Sequence, residues 1–582
     1  MATTQGLHLY PVGRDPNDVH EAALGLELID RDGLHIYISQ TIDLWEPGVL
    51  CSDQRDHIVV VGQLVLDEVQ RTEDSDERAV ASYFHRLWSF RLFRINDLPT
   101  EIVSIIFHDV VHREYPRDRL SALLHVSWTC KKWRDIAVCD STLWNKIYFR
   151  GGQIEQALVW FERARHAPLD IVIESSVFAF AAADEHSEYS ASVDDSIDED
   201  PDSTSVVTEI SPEALMRALL QHLFTKRETI RLLDIQLNDW QESLLVFHLL
   251  GTFGPLDART LQSFQLRVAE ADAVPAVTIA EPFLGGHIAP SLTRFALEGA
   301  PMNWGRSVME NLTTFDIKTL PVAHSIDIHC LREILSKSPR LQRLSVYGIT
   351  TLHPPATRMA PIELEHLHTL MIGDFLCDVA IFLLSQLTAP NLAVLMVVYL
   401  CAGGEEYAPL FEQLTSAFPK VQSLTTSSIR FCSSPTALSS MIQWLESMLL
   451  LTYLRVADVP PEFFGLFFRR IHPIDGVGNE GGDHSSLDAS ESVDTVPDGD
   501  AAPAPAPVAP LLKTLDCEAV EPHIIVQWVV DRASLGTPLS KVYASEEIFD
   551  NYDQTDSERL TSICILSKLD YGVRPEEDLA YM

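Results

Sequence analysis

From residue 230 onward the apolar residues keep one spacing, Φ-x-x-Φ-x-Φ, where Φ is apolar. It begins as IRLLDI (230) and recurs as LQSFQL (261), LTRFAL (292), LTTFDI (312), LQRLSV (341), LHTLMI (367) and LAVLMV (392). VQSLTT (421), LTYLRV (451), LKTLDC (512) and LSKVYA (539) continue it, VQSLTT with Thr at the last apolar place. Neighbouring starts are mostly 20 to 31 residues apart, and the one long step, 451 to 512, encloses an acidic and proline-rich tract. Each motif predicts a strand, and CLREILSKSP, VAIFLLSQLTAP, LFEQLTSAFP and ALSSMIQWLESMLL between them have helical periodicity. A strand–helix unit of this size buries its apolar face only against its neighbours. The pattern therefore predicts an α/β solenoid, parallel strands inside and helices outside, over residues 168–582; an ordinary α/β sheet is the other arrangement it allows.

Ahead of the repeats, residues 96–149 show a helical period. Pro99 suits a first helical position, and Leu98, Ile102, Ile105, Ile106 and Val110 fall on one broad apolar face. Leu120, Leu123 and Leu124 mark a second helix, with Asp118 as its candidate cap. In VSWTCKKWRDIAV (126–138), Cys130, Trp133 and Ala137 sit at i, i+3 and i+7, and Ser127 is the candidate cap of a third helix. Trp128 lies off that stripe. Residues 1–90 hold strand-like runs, GLHIYISQTIDLW and DHIVVVGQLVLDEV, and receive no role.

Composition changes the picture at two places. Residues 184–205 are rich in Asp, Glu and Ser with little to bury, and residues 474–510 form an acidic tract ending in AAPAPAPVAP. Both read as acidic, disordered insertions into the solenoid, the second also Pro/Ala-rich. The chain of 582 residues carries 83 acidic against 43 basic side chains, a formal net charge of -40. Such a field repels phosphate backbones and anionic lipid, so neither nucleic acid nor a membrane is an expected partner. The nine cysteines are scattered without a C-x-x-C pair, which fits reduced thiols. With no signal-peptide pattern at the start and no long apolar run, the expected location is cytoplasmic and/or nuclear.

The sequence offers little catalytic chemistry. Lys131, Lys132 and Arg134 fall on the solvated sides of the third helix rather than interleaving with aromatic rings, and Cys130 lacks a neighbouring base. Gly476 to Gly481, GVGNEG, has the glycine spacing of a dinucleotide loop but lies in the acidic tract without a strand before it or a helix after it. Glu365 to His368, EHLH, places two histidines on one side of a predicted strand without a third ligand. No catalytic, cofactor or metal residue is nominated.

The order Leu98-Pro99-x-Glu101-Ile102, Ile106-Phe107, Val126-Ser127-x-x-Cys130-Lys131-x-Trp133-Arg134, Leu143-Trp144 resembles the F-box. The following WFERARHAPLDIVI resembles the continuation found in fungal-type F-box proteins, and the repeats resemble irregular leucine-rich repeats. The ladder asparagine of that family appears only as Asn238; equivalent places hold Ile349, Phe375, Leu400 and Val459. The resemblance implies a non-catalytic substrate-recognition subunit of an SCF-type cullin-RING ubiquitin ligase. Its F-box would bind a Skp-type adaptor, and through it a cullin, while the repeats would hold a protein substrate. The implied adaptor face comprises Leu98, Pro99, Ile102, Ile106, Leu120, Leu123, Val126, Trp133 and Trp144. The alternative is a binding scaffold whose 96–149 helices only cap the repeat body.

Overall fold

The computed structural model describes residues 98–113, 119–150, 154–174, 212–254, 258–270, 280–349, 359–400, 407–429, 435–468, 508–545 and 554–569. Residues 1–90, Asp118, the 184–205 tract, GVGNEG and the 474–507 part of the second tract lie outside these. The chain divides into two units, Met1–Leu143 and Trp144–Met582. In the first, three helices follow one another: α1 (Thr100–Arg113), α2 (Arg119–Thr129) and α3 (Lys131–Cys139).

The second unit begins earlier than residue 168. It opens with β1 (Lys146–Phe149), α4 (Ile154–Arg163), β2 (Leu169–Glu174), α5 (Pro212–Leu223), β3 (Ile230–Asp239) and α6 (Trp240–Leu250). Next come β4 (Ser263–Glu270), β5 (Arg294–Glu298), β6 (Thr314–Lys318), α7 (Ile328–Ser336) and β7 (Arg343–Tyr347). The middle holds β8 (Ile362–Glu363), β9 (Thr369–Gly373), α8 (Cys377–Ser385), β10 (Leu387–Thr388), β11 (Val394–Val398) and α9 (Ala408–Ala417). Then follow β12 (Ser423–Ser427), α10 (Pro435–Ser447), β13 (Tyr453–Ala457), α11 (Glu462–Gly465) and β14 (Thr514–Glu518). The described chain ends with α12 (Pro522–Ser534), β15 (Lys541–Ser545), α13 (Gln554–Thr561) and β16 (Ile565–Leu569).

Among the described residues fourteen strands form one sheet in chain order, and β8 and β10 pair separately. Each pairing in the main sheet is parallel. All eleven motifs lie on strands of this sheet, so the architecture is the repeated α/β stack. The register aligns their apolar places: Leu344 stands beside Leu370, then Leu395, Leu424, Leu454, Leu515 and Val542. All seven are fully buried. At roughly 1.5–3 kcal/mol for each buried aliphatic side chain, this column supplies much of what orders the stack. Helices α7 to α10 are those foreseen from periodicity. Asp327 caps α7 by accepting from the Cys330 N–H at 2.8 Å.

Between β4 and β6 the described residues hold short 3₁₀ turns at Phe283–Gly286 and Trp304–Arg306, and aromatic rings pack against one another there. Phe295 lies 5.2 Å from Phe283, 5.7 Å from Phe264 and 6.0 Å from Phe315 between ring centres. Trp304 closes the group 6.3 Å from Phe295.

The missing asparagine ladder is replaced by backbone. After β5, β6, β7, β9, β11, β12, β13 and β14 stand Gly299, Thr319, Gly348, Asp374, Tyr399, Ser428, Asp458 and Ala519, all left-handed with φ between 45° and 70°. The N–H of each of the first seven donates to the carbonyl ending the neighbouring strand, as Thr319 does to Tyr347 (2.9 Å) and Tyr399 to Ser427 (2.8 Å). This turn drives the next residue inward, so Leu320, Ile349, Phe375, Leu400, Ile429 and Val459 are buried. An apolar plug therefore stands where the family has Asn, and the bend's polar groups are satisfied by main chain.

Val508 and Ala509, assigned from composition to the second acidic tract, belong to the folded body. Both are buried, and their carbonyls accept from Arg532, at 3.0 Å each. Arg532 is fully buried over the Trp528 ring, and burial lowers its pKa to about 10. Val508 N–H donates to the Phe467 carbonyl at 3.2 Å, so the chain leaves after Phe468 and returns at nearly the same place. The 469–507 segment is thus an insertion between adjacent points of the fold.

Candidate partner-binding surface

Helix α1 has apolar residues on more than one side, and the side that closes the core is not the one its broad stripe predicts. Val103, Phe107 and Val111, at i, i+4 and i+8, are fully buried. They meet Leu123 and Val126 of α2 and Ile136 and Ala137 of α3 in the buried set of this unit, with Leu143 after α3. The Trp133 ring lies 5.0 Å from Phe107, half-buried in that core. The stripe read from spacing points outward: Ile102 is 43%, Ile105 63% and Val110 43% exposed, and Ile106 is half-buried. On α2, Trp128 is 66% exposed. An exposed Trp beside a closed core marks a surface rather than a packing element.

The junction between α2 and α3 differs from the expected caps. Ser127 lies within α2, its hydroxyl donating to the Leu124 carbonyl at 3.0 Å, so it does not cap α3. Its carbonyl accepts from Arg134 Nε at 3.1 Å. The N-cap of α3 is Cys130, with extended backbone and no side-chain cap bond, because the tight α2–α3 turn leaves one residue between the helices. Cys130 is half-buried at this junction rather than inside the helical stripe.

A second polar cluster ties α1 to the end of α3. Asp140 accepts from the Ser104 hydroxyl, and also from the Thr142 N–H at 3.1 Å and hydroxyl at 2.5 Å. His108 Nε2 stands 3.3 Å from Asp140 and 2.8 Å from the Thr142 hydroxyl. His108 Nδ1 shares a hydrogen bond with His112 Nε2 at 3.0 Å. Burial raises the Asp140 pKa, but the hydrogen bonds from Ser104 and Thr142 and the His108 ring outweigh it and hold the carboxyl below its ordinary range. Ser, His and Asp meet here, yet the Ser104 hydroxyl is bonded to the carboxylate and not to the imidazole. The order needed for a nucleophile activated by a base is therefore absent from this cluster. It functions as a clamp.

Other candidate chemistry resolves similarly. EHLH is not on one strand: Glu365 and His366 form a turn before β9, and His368 Nδ1 is 2.5 Å from the His366 carbonyl. Among the described residues no group of three or more His, Cys, Asp or Glu could hold a metal ion, and no helix is long and apolar enough to cross a membrane. Burial, then the Asp327 charge, pushes the Cys330 thiol up to about 11, and burial pushes Cys564 to about 11. Thiols so raised are poor nucleophiles near neutral pH.

The nine residues implied as an adaptor face divide. Pro99 and Ile102 are exposed, and Leu98, Ile106 and Trp133 are half-buried. Leu123 and Val126 are interior. The Leu120 side chain lies outside the described residues. Trp144 is 1% exposed and belongs to the sheet unit, where Trp160 packs on it at 5.7 Å and Arg163 covers it at 4.4 Å. It stands in Φ-x-x-Φ-x-Φ spacing with Ile147 and Phe149, as the first apolar place of β1. Of the exposed residues, Ile105 and Val110 were in the spacing stripe but not in the nine. Trp128 was signalled only by lying off the third-helix stripe.

No curated protein matches the chain. A family model described as F-box-like matches residues 95–150, the three helices and β1. The order of motifs, the three-helix unit and this match agree: residues 95–150 are an F-box-like domain, followed by a parallel α/β repeat sheet.

Proposed function

We propose that this chain is a substrate-recognition subunit of an SCF-type cullin-RING ubiquitin ligase. F-box domains typically bind Skp-type adaptors, and their proteins are generally non-catalytic. On this reading the helical unit docks the adaptor, which joins a cullin, and the repeat sheet holds a protein substrate. Ubiquitin transfer is left to other subunits, and this chain contributes proximity.

One observation carries the proposal: a three-helix unit with its own closed core leaves Ile102, Ile105, Val110 and Trp128 uncovered. Apolar side chains of this size at a protein interface are where binding energy concentrates. The proposed face thus keeps Leu98, Pro99, Ile102 and Ile106, retains Leu120 from the sequence alone, gains Ile105, Val110 and Trp128, and gives packing roles to Leu123, Val126, Trp133 and Trp144.

The test is co-expression of the full chain with a Skp-type adaptor, followed by affinity capture and size-exclusion chromatography. A stable complex that recruits the cullin is expected, and Leu98→Ala/Pro99→Ala should weaken it. Absence of any complex with the wild-type chain would leave the helices as a cap of the repeat body and overturn the proposal.

A further inference from the structure

Several carboxylates of the main sheet are matched by a cation on the adjoining strand. Asp170 of β2 meets Arg231 of β3 at 2.6 Å, Asp234 of β3 meets Arg267 of β4 at 3.3 Å, and Glu518 of β14 meets Arg455 of β13 at 3.1 Å. Asp374, directly after β9, differs: it is exposed and has no ion pair among the described residues. The strands beside it supply rings instead. Tyr347, half-buried, ends β7 on one side, and Tyr399, 48% exposed, follows β11 on the other.

Strand β9 separates β7 from β11, yet the two ring centres stand only 5.9 Å apart, with their planes at 79°. Gly373 makes this approach possible. It is level with Tyr347 and Val398, and a Cβ there would come within 2.9 Å of the Tyr347 ring and 2.4 Å of Val398. The Tyr347 ring therefore crosses β9 over a residue without a side chain and meets Tyr399 in a corner. The Asp374 carboxylate lies at the same end of the strands, its Oδ2 3.3 Å from where a Cβ on Gly348 would stand. Charge of one sign surrounds it. Residues 374–385 and 399–417 contain five acidic residues and no Lys or Arg, and Asp378 in the first turn of α8 is exposed. Leu376, between Asp374 and Asp378, is 45% exposed.

We infer that Tyr347, Tyr399 and Asp374 seat an arginine side chain of a protein partner. The inference rests on the substrate-receptor reading, in which that partner is the substrate, and it names the feature the receptor selects. Where the sheet pairs its other carboxylates internally, this one is flanked by aromatic rings, so the matching cation comes from outside. A cation over a tyrosine face is attracted by the ring electrons, and a carboxylate alongside adds charge-assisted hydrogen bonds. Arginine fits better than lysine, because its planar guanidinium lies against a ring while its N–H groups still reach the carboxylate. The acidic surroundings repel segments with Asp or Glu next to that arginine. A formal charge of -40 draws basic segments to the whole chain, so selectivity has to come from the corner itself.

The test selects binders of the full chain from a displayed library of short random peptides. Arginine should be enriched among them. Fluorescence anisotropy of a recovered peptide should show at least about tenfold weaker binding when its arginine becomes glutamine, and severalfold weaker binding when it becomes lysine. Asp374→Asn and Tyr399→Asn each place a residue suited to left-handed backbone, so the fold is kept, and each should reproduce most of the glutamine loss. Glu365→Gln removes one charge from the exposed turn ahead of β9 and should leave binding unchanged. Equal losses from Glu365→Gln and Asp374→Asn would mark general attraction to an acidic chain and overturn the inference. So would a selection without arginine, equal affinity for the arginine peptide and either of its replacements, or unaltered binding by the folded Asp374→Asn and Tyr399→Asn variants. Arginine preference without adaptor capture would sink the ligase reading alone, and adaptor capture without that preference would sink this inference alone.

Discussion

In the helical unit, Ile102, Ile105, Val110 and Trp128 stand in solvent over a core already closed by Val103, Phe107 and Val111. In the sheet unit, the repeated apolar places are consumed internally, column by column, and the post-strand residues Leu320 to Val459 are buried with them. The same residue types thus do different work. A solenoid unit has no core without its neighbours, so its periodic hydrophobics must stack. The three helices share a small core, and apolar residues left over from it are available to a partner. Truncating a side chain should therefore cost stability in the sheet and binding in the helices.

The largest effect should come from Phe295→Ala. Phe295 is fully buried amid Phe264, Phe283, Trp304 and Phe315, so its removal opens a hole among close-packed rings. Loss of about 3–5 kcal/mol is expected. Hydrogen exchange should show faster opening of β4 to β6, while amides of α1 to α3 keep their protection. Uniform loosening of both units would break the comparison.

Next in size is Ile102→Glu/Ile105→Glu. Both positions are exposed, so folding stability should shift by no more than about 0.5 kcal/mol. Adaptor affinity should fall by at least about 2 kcal/mol, near thirtyfold, as expected for central apolar anchors. Titration calorimetry against a Skp-type adaptor checks this. An unfolded variant would place these residues in the core; unchanged affinity would remove them from the interface.

These two regions also differ in how far their sequences disclose them. The spacing placed eleven strands because LQRLSV or LTYLRV puts three interior residues at fixed offsets. It passed over β2, where register shifts between Leu169 and Asp170 and shortens the first step. It passed over β16 because Lys568 stands at the last apolar place, beside Ala544. On α1 the period announced a stripe but could not say whether that stripe faced inward. Phe107 and Trp133 settle this by packing together, a tertiary fact absent from spacing. Trp144 was ambiguous because one residue fits both the F-box signature and the first repeat. The left-handed ladder was hidden because Thr319, Tyr399 and Ala519 are not residues that ordinarily announce positive φ.

That ladder yields a smaller prediction. Gly348 has φ of 65°, and a Cβ there would come within 3.2 Å of the Thr319 backbone. Gly348→Ala should cost about 1–2 kcal/mol, the usual penalty for a left-handed residue bearing a side chain. Urea unfolding followed by exchange at β6 and β7 measures it, with the helical unit unaffected. A neutral outcome would mean that the bend can relax and that the ladder is not under constraint.

The smallest effect separates the units by pH. Asp140 joins α1 to the end of α3 through Ser104, Thr142 and His108, and its folded pKa lies below the ordinary carboxylate value. The carboxylate therefore stabilises the helical unit above the unfolded value of about 3.9, and that contribution disappears as pH falls through the lower folded value. Asp140→Asn should cost about 1 kcal/mol at neutral pH, by weakening charge-assisted hydrogen bonds. The gap between wild type and variant should narrow on acidification through that range, because protonation removes from the wild type what the variant already lacks. Protection of α1 and α3 amides as a function of pH gives the readout, with β9 to β12 as an internal reference. A gap that stays constant as the carboxyl protonates would show that Asp140 acts by shape alone, and the clamp would then be no more pH-sensitive than the sheet.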